Sequence, residues 1–135
     1  MTKTIIGLFL LVFSINAYAK CWIVSDLQGK SSFSDDGYEF IDDAMSGVAY
    51  KLIIHGKKAS LTNMNGSPVS DVAYVPLSYN TMVGSYQSDG GITVETWSIT
   101  EDNKVMYSKV MNIPSFQKLT STKAFVGDVA GTCNE

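Results

Sequence analysis

Val48-Ala49-Tyr50-Lys51-Leu52-Ile53-Ile54-His55-Gly56-Lys57-Lys58-Ala59-Ser60-Leu61-Thr62-Asn63-Met64 is the stretch whose reading decides the fold class. Val48, Tyr50, Leu52 and Ile54 alternate with Ala49, Lys51, Ile53 and His55. That period of two lays an apolar row along one face of a β-strand and a mixed row along the other. His55-Gly56-Lys57 supplies a tight reversal, and the chain resumes as a second strand from Lys58 to Met64. The stretch therefore predicts a hairpin lying over a core.

The same punctuation continues outward in both directions. Short runs rich in Val, Ile, Tyr, Phe, Trp and Thr predict further strands near Cys21 to Leu27, Tyr38 to Asp42, Ser70 to Val75, Thr81 to Gln87, Ile92 to Thr100, Lys104 to Met111 and Ala124 to Ala130. Asn65-Gly66, Asp89-Gly90-Gly91 and Glu101-Asp102-Asn103 supply turn residues between them. Within Ile92 to Thr100, Glu95 shares a face with Trp97 and Ile99, while Ile92 and Val94 lie opposite. Asn112 to Thr122, which contains Pro114, is the longest connection and the place for a helical turn or a flap. No 3.6-residue stripe interrupts this pattern. The expectation is an all-β fold, either a small antiparallel barrel or a compact β-sandwich of about eight strands.

The amino terminus sets the compartment. Lys3 is followed by an apolar run from Ile5 to Ile15 and by Ala17-Tyr18-Ala19, with small residues at the −3 and −1 positions of a cleavage site. Residues 1–19 read as a cleaved bacterial export signal, and residues 20–135 as a single β domain in the periplasm or the medium, with no membrane anchor. The only two cysteines, Cys21 and Cys133, lie at the two ends of that domain and should bond in an oxidising compartment, tying the termini together. With one histidine, His55, they cannot supply the ligand spacing of a zinc site, so no metal or cofactor is expected.

All ten basic residues are lysines, and they face thirteen carboxylates. An acidic chain with no basic stripe excludes a nucleic-acid footprint. No nucleophile elbow or metal-binding His-Glu pattern is present, and Ser108 and Lys109, being neighbours on a strand, point to opposite faces. The chain reads as a non-enzyme.

The sharpest polar feature is Asp35, Asp36, Glu39, Asp42 and Asp43, five carboxylates in nine residues, interleaved with Tyr38, Phe40 and Ile41. The spacing does not fit an EF-hand. Acid with aromatic residues between is the composition that attracts and docks a cationic protein, and a solvated acidic loop is the plainer alternative. A second set, Tyr74, Tyr79, Tyr86, Trp97 and Tyr107, reads mainly as core and rim.

Ser46-Gly47-Val48-Ala49-Tyr50 and Gly56-Lys57-Lys58-Ala59-Ser60-Leu61 are similar to the S-G-x-x-Y and K-G-x-x-A-x-L segments of periplasmic inhibitors of c-type lysozyme, which are small exported β-barrels. The resemblance implies that Ser46 contacts the enzyme and that Tyr50 shapes the loop. It spans Ser46 to Leu61 only, with His55 where the family has lysine, a shorter gap between the segments and no second motif.

The expected function is an exported binding module that occludes the cleft of another exported protein, as an immunity protein or an inhibitor of a cell-wall hydrolase does. Its expected contact residues are Asp35, Asp36, Tyr38, Glu39, Asp42, Asp43 and Ser46, and its expected partner is a cationic hydrolase or toxin. The alternative is a lipocalin-like carrier of a small apolar ligand, which requires a cavity lined by residues such as Trp97 and Phe125.

Overall fold

The computed structural model describes residues 19–88 and 90–134; all but the last residue of the export signal read over 1–19, and the turn residue Asp89, lie outside them. Eight antiparallel strands form one sheet: β1 (Lys20–Phe33), β2 (Phe40–His55), β3 (Lys58–Asn63), β4 (Ala73–Ser78), β5 (Thr81–Ser88), β6 (Gly91–Ile99), β7 (Lys104–Asn112) and β8 (Ser121–Thr132). Their spatial order is β3-β2-β1-β8-β7-β6-β5-β4. The first and last strands are hydrogen-bonded to each other, so the sheet curls into a nearly closed barrel whose unzipped seam lies between β3 and β4. The sequence left barrel and sandwich open; the β1–β8 pairing decides for the barrel. Cys21 and Cys133 are bonded, with Cα atoms 5.0 Å apart. Among the described residues no helix is long and apolar enough to cross a membrane.

Period-two alternation explains which side chains fill the barrel. Tyr50, Leu52 and Ile54 of β2 face inward, as do Trp97 and Ile99 of β6, Val105 and Tyr107 of β7 and Phe125 of β8. Trp97, Tyr107 and Phe125 form a packed row with ring centroids 4.4 Å and 5.7 Å apart, and Tyr50 meets Trp97 edge-on at 6.3 Å. Trp97 and Phe125, which a carrier would need as cavity walls, are therefore packed together through Tyr107 in the barrel's core.

Several strands differ from their expected bounds: β1 runs on to Phe33, six residues past Leu27, and β8 begins at Ser121, three before Ala124. Of the run Tyr38 to Asp42, Phe40 to Asp42 belong to the same strand as Val48 to His55, β2, while Tyr38 and Glu39 fall in the preceding turn; a bulge joins the two parts, since Ser25 pairs with Ala49 and Leu27 with Met45, leaving Ser46, Gly47 and Val48 opposite Asp26 alone. Gly47 and Asp26 absorb the mismatch at φ 69° and 55°. The bulge also turns Val48 out of the apolar row it was expected to share with Tyr50, so that it is exposed. β4 begins three residues late, since Ser67 to Val69 first return along β3, with Val69 N–H donating to Leu61 O at 3.3 Å. Gly29 of β1 and Gly127 of β8 let those two strands approach closely: a Cβ on Gly29 would be driven into the Ala124 carbonyl.

Candidate interaction surface at one end of the barrel

The carboxylate-rich segment lies at the end of the barrel where β1 passes into β2 and β7 into β8. Two connections meet there, residues 34–39 and 113–120, and each contains one 3₁₀ turn, Ser34–Asp36 and Gln117–Leu119. They are clasped: the Ser34 N–H donates to Thr120 O at 2.9 Å, and the Ser34 hydroxyl donates to Gln117 Oε1 at 2.7 Å. Thr120 Oγ1 also accepts from the Ile113 N–H at 3.1 Å, closing the second connection on itself. The expected helical turn in Asn112 to Thr122 is the Gln117–Leu119 turn.

Asp36-Gly37-Tyr38-Glu39 reverses the chain. Gly37 and Tyr38 both take left-handed φ, 64° and 63°, and the Glu39 N–H returns to Asp36 O at 3.4 Å. Successive positive φ values are the signature of the hairpin turns that match sheet twist. Gly37 adopts this conformation at no steric cost, whereas a tyrosine there is strained. Two bonds hold it in place: the Tyr38 N–H donates to Phe33 O at 2.9 Å, and the Ser32 hydroxyl donates to Tyr38 O at 2.9 Å. The Tyr38 side chain is 59 % exposed.

The structure brings four of the expected contact residues together and sets the other three apart. Asp35, Asp36, Tyr38 and Glu39 stand together on the turn, all exposed. Asp42 lies on the outer face of β2, paired with Lys30 on β1. Asp43 points inward: its Oδ2 accepts from the Ser31 hydroxyl at 2.6 Å and from Lys123 Nζ at 2.9 Å, and its Oδ1 from the Ala44 N–H at 2.8 Å. The Ser31 hydroxyl, then Lys123, holds the Asp43 carboxyl below the usual carboxylate range. Ser46 lies apart from the turn, exposed in the β2 bulge. Tyr50 belongs to the core through its contact with Trp97.

Phe40, read in the sequence as interleaved with the carboxylates, is exposed beside them, and sequence reasoning missed two further exposed apolar residues, Phe116 and Leu119. Phe116 and Leu119 rim a concavity of about 510 Å³ with Tyr86, Met111 and Ile113. The only trace of this in the sequence is an apolar pair inside a long polar connection. Two lysines that join Glu95 inside the barrel were missed too. Lys123 stands opposite Lys109, and Lys109 lies 3.6 Å from Glu95 Oε1. Cross-strand like charges repel, and here Asp43 and Glu95 offset the two lysines from either side.

Comparison with protein-family models, curated proteins and solved structures finds no match to this chain.

Proposed function

We propose that the chain is an exported binding protein that occludes a site on a second, cationic exported protein, with Tyr38 as the inserted anchor. The observation that carries this reading is Tyr38 itself: a large aromatic side chain presented to solvent on a strained backbone that two hydrogen bonds and a clasped neighbouring loop hold still. Strain is retained where the surroundings over-determine it, and such sites cluster at ligand clamps. A side chain already ordered loses little entropy on docking, and aromatic residues dominate binding hot spots. Asp35, Asp36 and Glu39 around it steer a basic partner, while Phe40, Phe116 and Leu119 extend the apolar contact. Asp43 acts from within by fixing the base of β2.

The packed row of Trp97, Tyr107 and Phe125 supports this reading over the carrier, because the middle of the barrel is occupied by side chains.

The test is retention of partners by the chain from periplasmic and secreted extracts at low and high salt, run beside an inhibition assay on a c-type lysozyme. We expect one basic protein to be retained at low salt and released at high salt. Tyr38→Ala should weaken binding at least tenfold, about 1.4 kcal/mol. Asp35→Asn with Asp36→Asn should mainly slow association. Retention unchanged in both variants would overturn the proposal.

A further inference from the structure

β3 and β4 follow one another in sequence yet are not hydrogen-bonded, and the gap between them is filled over only part of its length. Toward the acidic end, Ser67 to Val69 zip onto β3 through an isolated bridge between Thr62 and Pro68, and Val69 packs on the core. Toward the opposite end no backbone hydrogen bond joins β3 to β4 among the described residues. At that end a groove of about 420 Å³ lies between β4 and the β2–β3 turn, beside the start of β1, with Ile54 and Pro76 in its lining.

One wall is apolar. Val75 and Leu77 alternate outward along β4, 54 % and 67 % exposed, and Tyr79 continues them beyond the strand. The other wall carries Lys20 and Lys57. The Lys20 ammonium lies 5.3 Å from the Tyr79 ring centroid, so it reaches across the groove. Among the described residues no carboxylate lies within ion-pair distance of Lys20 or Lys57, whereas Lys30, Lys104, Lys109 and Lys123 each have one. On an acidic protein, two cations with no carboxylate partner among the described residues, beside an apolar trough, define the complementary ligand: an anionic head on an apolar tail. Pro76 also decides against a peptide strand, because it removes a donor from the edge that the strand would have to pair with.

We infer that this groove between β4 and the β2–β3 turn binds a small single-chain amphiphile with an anionic head, of the chemical class of a fatty acid. The tail lies along Val75, Leu77 and Pro76 down to Ile54, and the head is held by Lys20 and Lys57. The volume falls within the range of small-ligand pockets. Export cleavage after Ala19, as the sequence leads one to expect, adds the α-ammonium of Lys20 to the same rim. The site is independent of the acidic end and of the function proposed for it.

The experiment titrates dodecanoate, kept below its micelle concentration, into the purified chain and follows binding by calorimetry and by the NMR signals of Val75, Leu77 and Ile54. Dodecyltrimethylammonium serves as the cationic control. We expect saturable one-to-one binding of dodecanoate with shifts confined to the groove, and at least tenfold weaker binding of the cation. Leu77→Asp, at an exposed position that leaves the fold intact, should abolish binding, and Lys57→Glu should weaken it about tenfold. Tyr38→Ala should leave it unchanged, so failure here and failure of the partner reading are told apart. Absence of saturable binding, equal affinity for the cationic control, shifts outside the groove, or association only with anionic vesicles would each overturn the assignment.

Discussion

Tyr107 donates its phenolic hydrogen to Oε1 of Glu95 at 3.1 Å inside the barrel, one strand away. Tyr74 donates to the other oxygen, Oε2, from the far side of β5, and Lys109 adds its charge from β7. A carboxylate that is nearly buried is thus satisfied by two phenols and an ammonium, Tyr74 from β4 and Tyr107 and Lys109 from β7. Gly84 lies between Glu95 and Tyr74 in register, and the Tyr74 ring occupies the space a side chain there would take.

Glu95→Ala leaves both phenols and Lys109 without their acceptor. Breaking one partner out of a buried charged network costs more than a surface pair, here about 3 kcal/mol. Urea unfolding should show the midpoint falling with an unchanged slope. A loss below 0.5 kcal/mol would mean that water takes over the network.

Alkaline pH acts on the same cluster. Burial first, together with the Glu95 charge and hydrogen bond, pushes the Tyr74 and Tyr107 phenols far above their ordinary value of 10.0. The unfolded chain releases both protons near pH 10 and the folded chain does not, so their contribution to stability is complete below about pH 10 and falls as the pH rises past it. Tyrosinate absorbance should therefore show these two phenols ionising only together with unfolding. Ionisation of either while the far-ultraviolet signal stays native would contradict the arrangement.

At the acid end the sign reverses. The Asp43 carboxyl is held low by Ser31 and then Lys123, so its contribution is present above the unfolded value near 3.8 and is lost as the pH falls through the lower folded value. Asp43→Asn should cost about 1 kcal/mol at pH 7. The gap between variant and parent should close by about pH 2, which thermal melts across that range would check.

Gly29→Ala tests the closure of the barrel. The added methyl meets the Ala124 backbone, which cannot swing away as a flexible side chain would. We expect about 3 kcal/mol of destabilisation, or loss of the β1–β8 pairing, read from amide exchange along both strands.

Tyr38→Gly separates binding from stability. Glycine takes φ 63° without strain, so the variant should gain about 1 kcal/mol while losing the partner. A variant that is less stable than the parent would show that the Tyr38 side chain is a structural contact instead of a presented one.

Much of this molecule is legible along the chain. Alternation is a local property of an extended backbone, so the inward sets Tyr50-Leu52-Ile54 and Glu95-Trp97-Ile99 follow from the order of residues alone. Gly56, Gly66 and Gly90 all take positive φ at the turns expected of them. Two cysteines near the ends of the strand-forming region, with no third competitor, left one possible bond, which the structure contains.

What cross-strand geometry decided was the candidate site and the seam. Five carboxylates look alike in sequence, and only the pairing of β2 with β1 and of β1 with β8 brings Ser31 and Lys123 to Asp43, leaving Asp35, Asp36 and Glu39 at the surface. The bulge at Ser46 to Val48 shifts that register, and the side-chain period of two makes any single-residue shift reverse the face. Lys109, Lys123 and Glu95 meet across three strands by the same rule. The open seam arises because Ser67 to Val69 pair with β3 before β4 begins, a competition between two backbone partners that no single strand's composition records.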